Sequence, residues 1–189
     1  MKAAGTSPIA TASTPPLRLV LVGAAAAAAA SGVEPAAGRL AALIGVSALP
    51  PLQAATDQRA QAGVDALMAE LLGRDGSWLV PLPQDPGRFQ PWGGRWSELL
   101  GAWRQPTVLL IEDHQADGGL PSASTALLQC CNVPLLGLIQ WGGSFDPEAR
   151  RRDGLPWLGC LAQGTGTDAD QVLALSLKQR WDRIAAEAK

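Results

Sequence analysis

A doubly wound, mainly parallel α/β sheet with helices on both faces, three layers in all, is the fold this chain predicts. Two observations carry that expectation. Short, almost wholly apolar runs of strand length recur along the chain, as in strands buried on both faces of a parallel sheet, and segments with helical periodicity lie between them. A third is size: 189 residues suit one domain able to bury roughly two-thirds of its unfolded surface.

Met1 to Pro16 is small, polar and proline-containing, and is expected to be a flexible tail, leaving 17–189 as the single domain. The run "LRLVLV" (17–22) reads as the first buried strand, ending at Gly23. From Glu34 to Leu49 the residues Leu40, Leu43 and Ile44 recur at helical spacing behind Pro35, which favours a first helical turn. Between Asp57 and Leu72, Val64, Leu67, Met68, Leu71 and Leu72 mark an amphipathic helix that Gly73 ends.

"SWLVPLP" (77–83) is the next strand, and 95–103 is a helix with Trp96, Leu99, Leu100 and Trp103 on one face. "TVLLIED" (107–113) is a strand, 122–131 a helix that Ser122 or Ser124 is placed to cap, and "PLLGLIQW" (134–141) a strand. A polar excursion with about one helical turn (142–154), a strand (155–161) and a helix (168–189) complete the order. In sheets of this kind ligands bind beyond the carboxyl ends of the strands. That directs attention to the loops 23–34, 83–95, 112–121 and 141–154.

Charge and cysteine content narrow the function. With 15 basic and 17 acidic residues and a pI near 5.3, the chain lacks the basic footprint of a nucleic-acid binder. Cys130, Cys131 and Cys160 fit neither a disulfide framework nor a CxxC metal site, so they read as reduced, mostly buried thiols in a cytoplasm, and no metal is implied. Beyond the opening stretch no apolar run is long enough to span a membrane, so no membrane association is expected.

Five stretches share an order with a known family: Leu79-Val80-Pro81-Leu82; Glu98 to Pro106 followed by Thr107-Val108-Leu109-Leu110; Gly119-Leu120 with Ser124 to Leu128; Val133 to Leu138; and Leu155 to Gly159. Together, over about Ser77 to Leu161, they resemble dethiobiotin synthetase, a P-loop NTPase related to the MinD and cobyric-acid-synthase group. The resemblance implies a P-loop-type α/β fold. In the family it also implies ATP- and magnesium-dependent carboxylation and ring closure in biotin biosynthesis. By position, the nucleotide site would involve Gly23, Ser31 and Gly32, with Trp141 near the place of an adenine-reading asparagine.

The family's chemistry does not carry over with the fold. A phosphate loop of the GxxxxGK[ST] type needs glycines to aim its N–H groups inward, a lysine on the outer phosphates and a hydroxyl on magnesium. Here Gly23 is followed by seven alanines, Ser31 and Gly32, and no lysine occurs between Lys2 and Lys178. The segment before Leu79, Gly73 to Trp78, lacks the family's magnesium-binding glutamate. Trp141 can stack on a base but cannot form the asparagine's paired hydrogen bonds.

Other candidates each have a bland counterpart. Glu112, Asp113, His114 and Asp117 offer a base or ligands beyond a strand end, or simply a polar loop. Arg150 and Arg151, beside Arg152, offer guanidinium forks for a phosphate or carboxylate, or solvated charge balanced by Asp146, Glu148 and Asp153. Trp92 and Trp141 each adjoin a Gly-Gly pair and are expected to expose aromatic surface; Trp96 and Trp103 are expected to pack.

Three functions remain open. One is a cytoplasmic accessory or binding protein without nucleotide chemistry, acting with a protein partner or as a homodimer. Another is a divergent synthetase using ATP and magnesium. The last is an exported protein whose residues 1 to about 31 are a cleaved signal, given Lys2, Arg18, the apolar run and the alanines.

Overall fold

The computed structural model describes residues 15–24, 32–53, 61–162 and 168–187. Six parallel strands form one sheet in the order β2-β3-β1-β4-β5-β6: β1 (Arg18–Gly23), β2 (Ser47–Ala48), β3 (Trp78–Leu82), β4 (Thr107–Glu112), β5 (Leu135–Trp141) and β6 (Trp157–Leu161). Six helices connect or follow them: α1 (Val33–Ile44), α2 (Gln61–Leu72), α3 (Trp96–Ala102), α4 (Leu120–Cys130), α5 (Pro147–Arg152) and α6 (Asp168–Glu187). The predicted fold class is the one observed.

The alternation of side chains along each strand builds two separate cores. Val20, Val22, Val80, Leu109 and Ile111 face one side, where α2, α3 and α4 contribute Met68, Trp96 and Leu128. Leu19, Leu21, Leu79, Val108 and Leu110 face the other, beneath Leu40 of α1 and Leu173 and Leu177 of α6. Because both faces are covered, the central strands read as unbroken apolar runs. β1 pairs with both β3 and β4, and Leu19 to Val22 are fully buried. A chain cut near residue 31 would therefore lose the strand at the centre of the sheet.

Pro81 sits inside β3 without disrupting it. Its carbonyl accepts Leu52 N–H at 2.8 Å, so this residue faces the β2 side, while β2 itself pairs only with Trp78 and Leu79. The missing proline N–H falls where the ladder has already ended.

Several boundaries differ from expectation. The helix predicted through Leu49 stops at Ile44, because Gly45 takes a left-handed conformation and donates to Ala41 O. The freed residues Ser47–Ala48 become a short, exposed edge strand. α4 starts at Leu120 with Gly119 at its cap and Pro121 in its first turn, so neither Ser122 nor Ser124 is the cap; Ser124 is buried within the helix. Residues 57–60 of the predicted second helix lie outside the described residues. Among the described residues, no helix is long and apolar enough to cross a membrane.

Candidate functional site

The chain leaves β1 for the α1 face of the sheet and leaves the adjacent β4 for the α4 face. This reversal creates a topological switch point at the carboxyl ends of β1 and β4, the place where open α/β sheets bind ligands. Three elements meet there. Gly23 and Ala24 end β1, with Ala24 N–H donating to Leu110 O at 3.1 Å; Glu112 ends β4; Gly32 caps the start of α1. Ser31 lies outside the described residues.

What faces the start of α1 is protein. A Cβ added to Gly32 would stand 2.8 Å from Trp141 Cδ1, 2.9 Å from its Nε1 and 3.1 Å from Glu112 Oε1. The indole and the carboxylate therefore press on the backbone where the helix begins. Trp141, the last residue of β5, is half-buried and also packs against the α1/α6 core. Glu112 is held in turn: its carboxylate caps the short 3-10 turn 113–115, and its N–H donates to Gln115 Oε1 at 3.2 Å. A helix N-terminus carries partial positive charge from its free N–H groups, and here a side-chain carboxylate already lies beside it.

The loops that follow are tied down by a residue not anticipated from sequence. Gln140 is fully buried at the end of β5, and its Nε2 donates to Asp113 Oδ1 (3.0 Å), Gly142 O (3.1 Å) and Ser144 O (3.2 Å). Gly142 and Gly143 both have left-handed φ, 75° and 65°, and a Cβ on Gly143 would overlap the Asp113 carboxylate. The only signal for this latch in the sequence is a lone amide in an apolar strand, directly before Trp-Gly-Gly. Cys160 joins it from β6, its Sγ 3.6 Å from Gly142 O; burial pushes this thiol's pKa up, and the Asp113 and Asp170 carboxylates push it further.

The remaining candidates separate rather than converge. Asp113 is engaged with Gln140, whereas His114 is largely exposed with Nδ1 3.5 Å from Glu112 Oε2. Arg150 is not a free anion fork. It is buried, donates to Ala116 O (3.0 Å) and Asp117 Oδ1 (2.8 Å), and lies over the Trp157 ring at 5.0 Å, fastening α5 to the loop after β4. Arg151 is exposed and pairs with Glu148. Asp146 caps α5 by accepting the Ala149 and Glu148 N–H groups, the first of which is the main reason its pKa lies below the ordinary aspartate value.

Trp92 corrects a second expectation: it is buried, packed edge-to-face on Trp96 at 5.9 Å, because the ring folds back over Gly94. Trp96 is fully buried, as expected, and donates to Gln84 Oε1 at 2.7 Å; Trp103 is half-buried against the same core. Of the thiols, only Cys160 is buried; Cys130 is exposed and Cys131 half-buried, since the end of α4 reaches the surface. Among the described residues, no three His, Cys, Asp or Glu side chains are grouped so as to hold a metal ion.

Fold and site together define a doubly wound parallel α/β domain in which, among the described residues, Trp141 and Glu112 stand against Gly32 at the switch point. No protein-family model matches the chain, and no curated protein matches it in sequence.

Proposed function

We propose that this chain is a dethiobiotin-synthetase-like cytoplasmic protein that has lost ATP-dependent chemistry and acts as an accessory or binding protein. The observation that supports this most is the contact of Glu112 and Trp141 with Gly32 at the start of α1. A helix N-terminus attracts an anion by about 0.3–1 kcal/mol, and up to about 2 in favourable geometry. Two like charges about 4 Å apart near a protein surface repel by roughly 4 kcal/mol. A phosphate brought to this helix meets the Glu112 carboxylate, so repulsion exceeds what the helix supplies, and no lysine between Lys2 and Lys178 is available to offset it.

The five stretches from Leu79 to Gly159 that resemble the family motivate the kinship, and the alanine run in place of a phosphate loop motivates the loss of chemistry. Without charge stabilisation of the transferred group, phosphoryl transfer loses its largest catalytic contribution.

Expression in a bacterial strain lacking its own dethiobiotin synthetase tests the proposal. No growth without biotin is expected, at protein levels verified by immunoblot. Restored growth overturns it in favour of a divergent enzyme.

A further inference from the structure

We infer that the loop after β3 holds a binding site for a small planar heteroaromatic carboxylate, built on the exposed ring of Phe89. Of the chain's seven tryptophans and two phenylalanines, Phe89 alone is exposed, at 61%. The loop that carries it is closed by its own contacts. Pro86 and Trp92 are buried, Phe89 and Arg95 form an antiparallel bridge, Gln90 N–H donates to Gly94 O at 2.8 Å, and Gly93 N–H donates to Gln90 O at 3.0 Å. The ring therefore stands in water because a fixed backbone puts it there, and a site fixed in advance loses little entropy when a ligand arrives.

Phe89 is one wall of a cavity of about 610 Å³, in the size range of small-molecule pockets, whose described lining is Gln84, Asp85, Arg88, Phe89, Gln90 and Pro91. The amides there are oriented by what they already bind. Gln84 Oε1 accepts Trp96 Nε1–H at 2.7 Å, which leaves the Gln84 Nε2 donor uncommitted among the described residues. Gln90 Nε2 donates to Arg88 O at 3.1 Å, which leaves the Gln90 Oε1 acceptor uncommitted in the same sense. The guanidinium of Arg88 is exposed and makes no ion pair or hydrogen bond among the described residues.

These groups specify the parts of the ligand. Arg95 lies over Phe89 with its guanidinium carbon 5.6 Å from the ring centroid, and is itself fixed by Gly87 O (3.1 Å) and Glu98 Oε1 (2.8 Å). A ring with a cation on one face disfavours a second cation on the other, so the open face takes a neutral planar ring by stacking. Arg88 supplies a fork for a carboxylate, and the two amides supply one donor and one acceptor to heteroatoms of the ring. One free guanidinium beside the Asp85 carboxylate suits a single negative charge and not a polyphosphate. The described lining shares no residue with the contacts around Gly32, so the inference does not rest on the proposed loss of ATP chemistry and survives its failure.

Isothermal calorimetry of the full chain with quinoline-3-carboxylate, at up to millimolar concentration, tests it. Saturable binding of one molecule per chain is expected. Quinoline, which lacks the acid, and cyclohexanecarboxylate, which lacks the planar ring, should each bind at least about fivefold more weakly. Phe89→Ala and, separately, Arg88→Gln should each weaken quinoline-3-carboxylate by at least about fivefold, with an unchanged far-ultraviolet circular dichroism spectrum. Both side chains are exposed, so neither substitution is expected to disturb folding. No saturable heat with quinoline-3-carboxylate overturns the inference, as does binding that either substitution leaves unchanged or that either control compound matches.

Discussion

At the carboxyl end of the sheet, Glu112, Asp113, Gln140 and Arg150 are all engaged with neighbouring backbone or side chains; toward the amino end, Leu43, Ile44 and Val46 line an open cleft and Leu175 projects beside it. The usual division of labour in doubly wound sheets is the opposite, with the carboxyl end left open for ligands. Polar groups brought to a switch point either wait for a ligand or bond to one another. Among the described residues several of them bond to one another, while Gln140 Oε1 and Arg150 Nε are buried without a partner, and the cleft at the amino end is lined largely by apolar side chains.

Forcing the carboxyl end open should have the largest effect. Gly143→Val places a branched side chain at a left-handed φ and displaces the Asp113 carboxylate from Gln140. Summed strain and lost hydrogen bonding predict a loss of about 3–5 kcal/mol in urea unfolding; a loss below about 1 kcal/mol would mean that the latch contributes little. Arg150→Ala is next. It removes two hydrogen bonds and the contact over Trp157, and should cost about 2 kcal/mol by the same measurement.

Gly32→Ala probes the plug directly. Its methyl must push Trp141 aside, predicting about 1 kcal/mol of destabilisation and a shift in tryptophan emission that is absent when Trp141 is first replaced by Leu. The smallest effect concerns the cap of α5. The folded pKa of Asp146 is depressed, so its capping contribution is complete above the ordinary aspartate range and is lost as pH falls through the folded value. The difference in melting temperature between the wild type and Asp146→Ala should therefore be constant near neutrality and shrink in acid. A difference that grows in acid has the wrong sign for this mechanism.

How much of this is legible in the sequence depends on whether local pattern or distant contact decides. β1, β3, β4 and β5 are legible because strands buried on both faces must be apolar throughout. β2 is not: two exposed residues, Ser47 and Ala48, carry no hydrophobic pattern, and only pairing with β3 makes them a strand. Gly45 was the available signal that α1 ends before them. At the switch point, Trp141 stands out in the sequence, yet its partners Gly32 and Glu112 come from other strands and helices, so the meeting itself cannot be read locally.

Trp92 shows the opposite error. The Gly93-Gly94 pair looks like an exposed loop, whereas the absent side chain of Gly94 is what lets the indole fold inward. Arg150 has the same lesson for charge: three consecutive arginines look solvated, but helical geometry points only Arg150 toward Trp157, leaving Arg151 in water.

The central claim, that the carboxyl end is closed to nucleotide, is tested most directly by titrating magnesium-ATP into the full chain by isothermal calorimetry. No saturable heat is expected at millimolar nucleotide, for the wild type and for Trp141→Leu alike, since the Glu112 carboxylate remains beside α1 in both. Stoichiometric binding with a micromolar dissociation constant would contradict it.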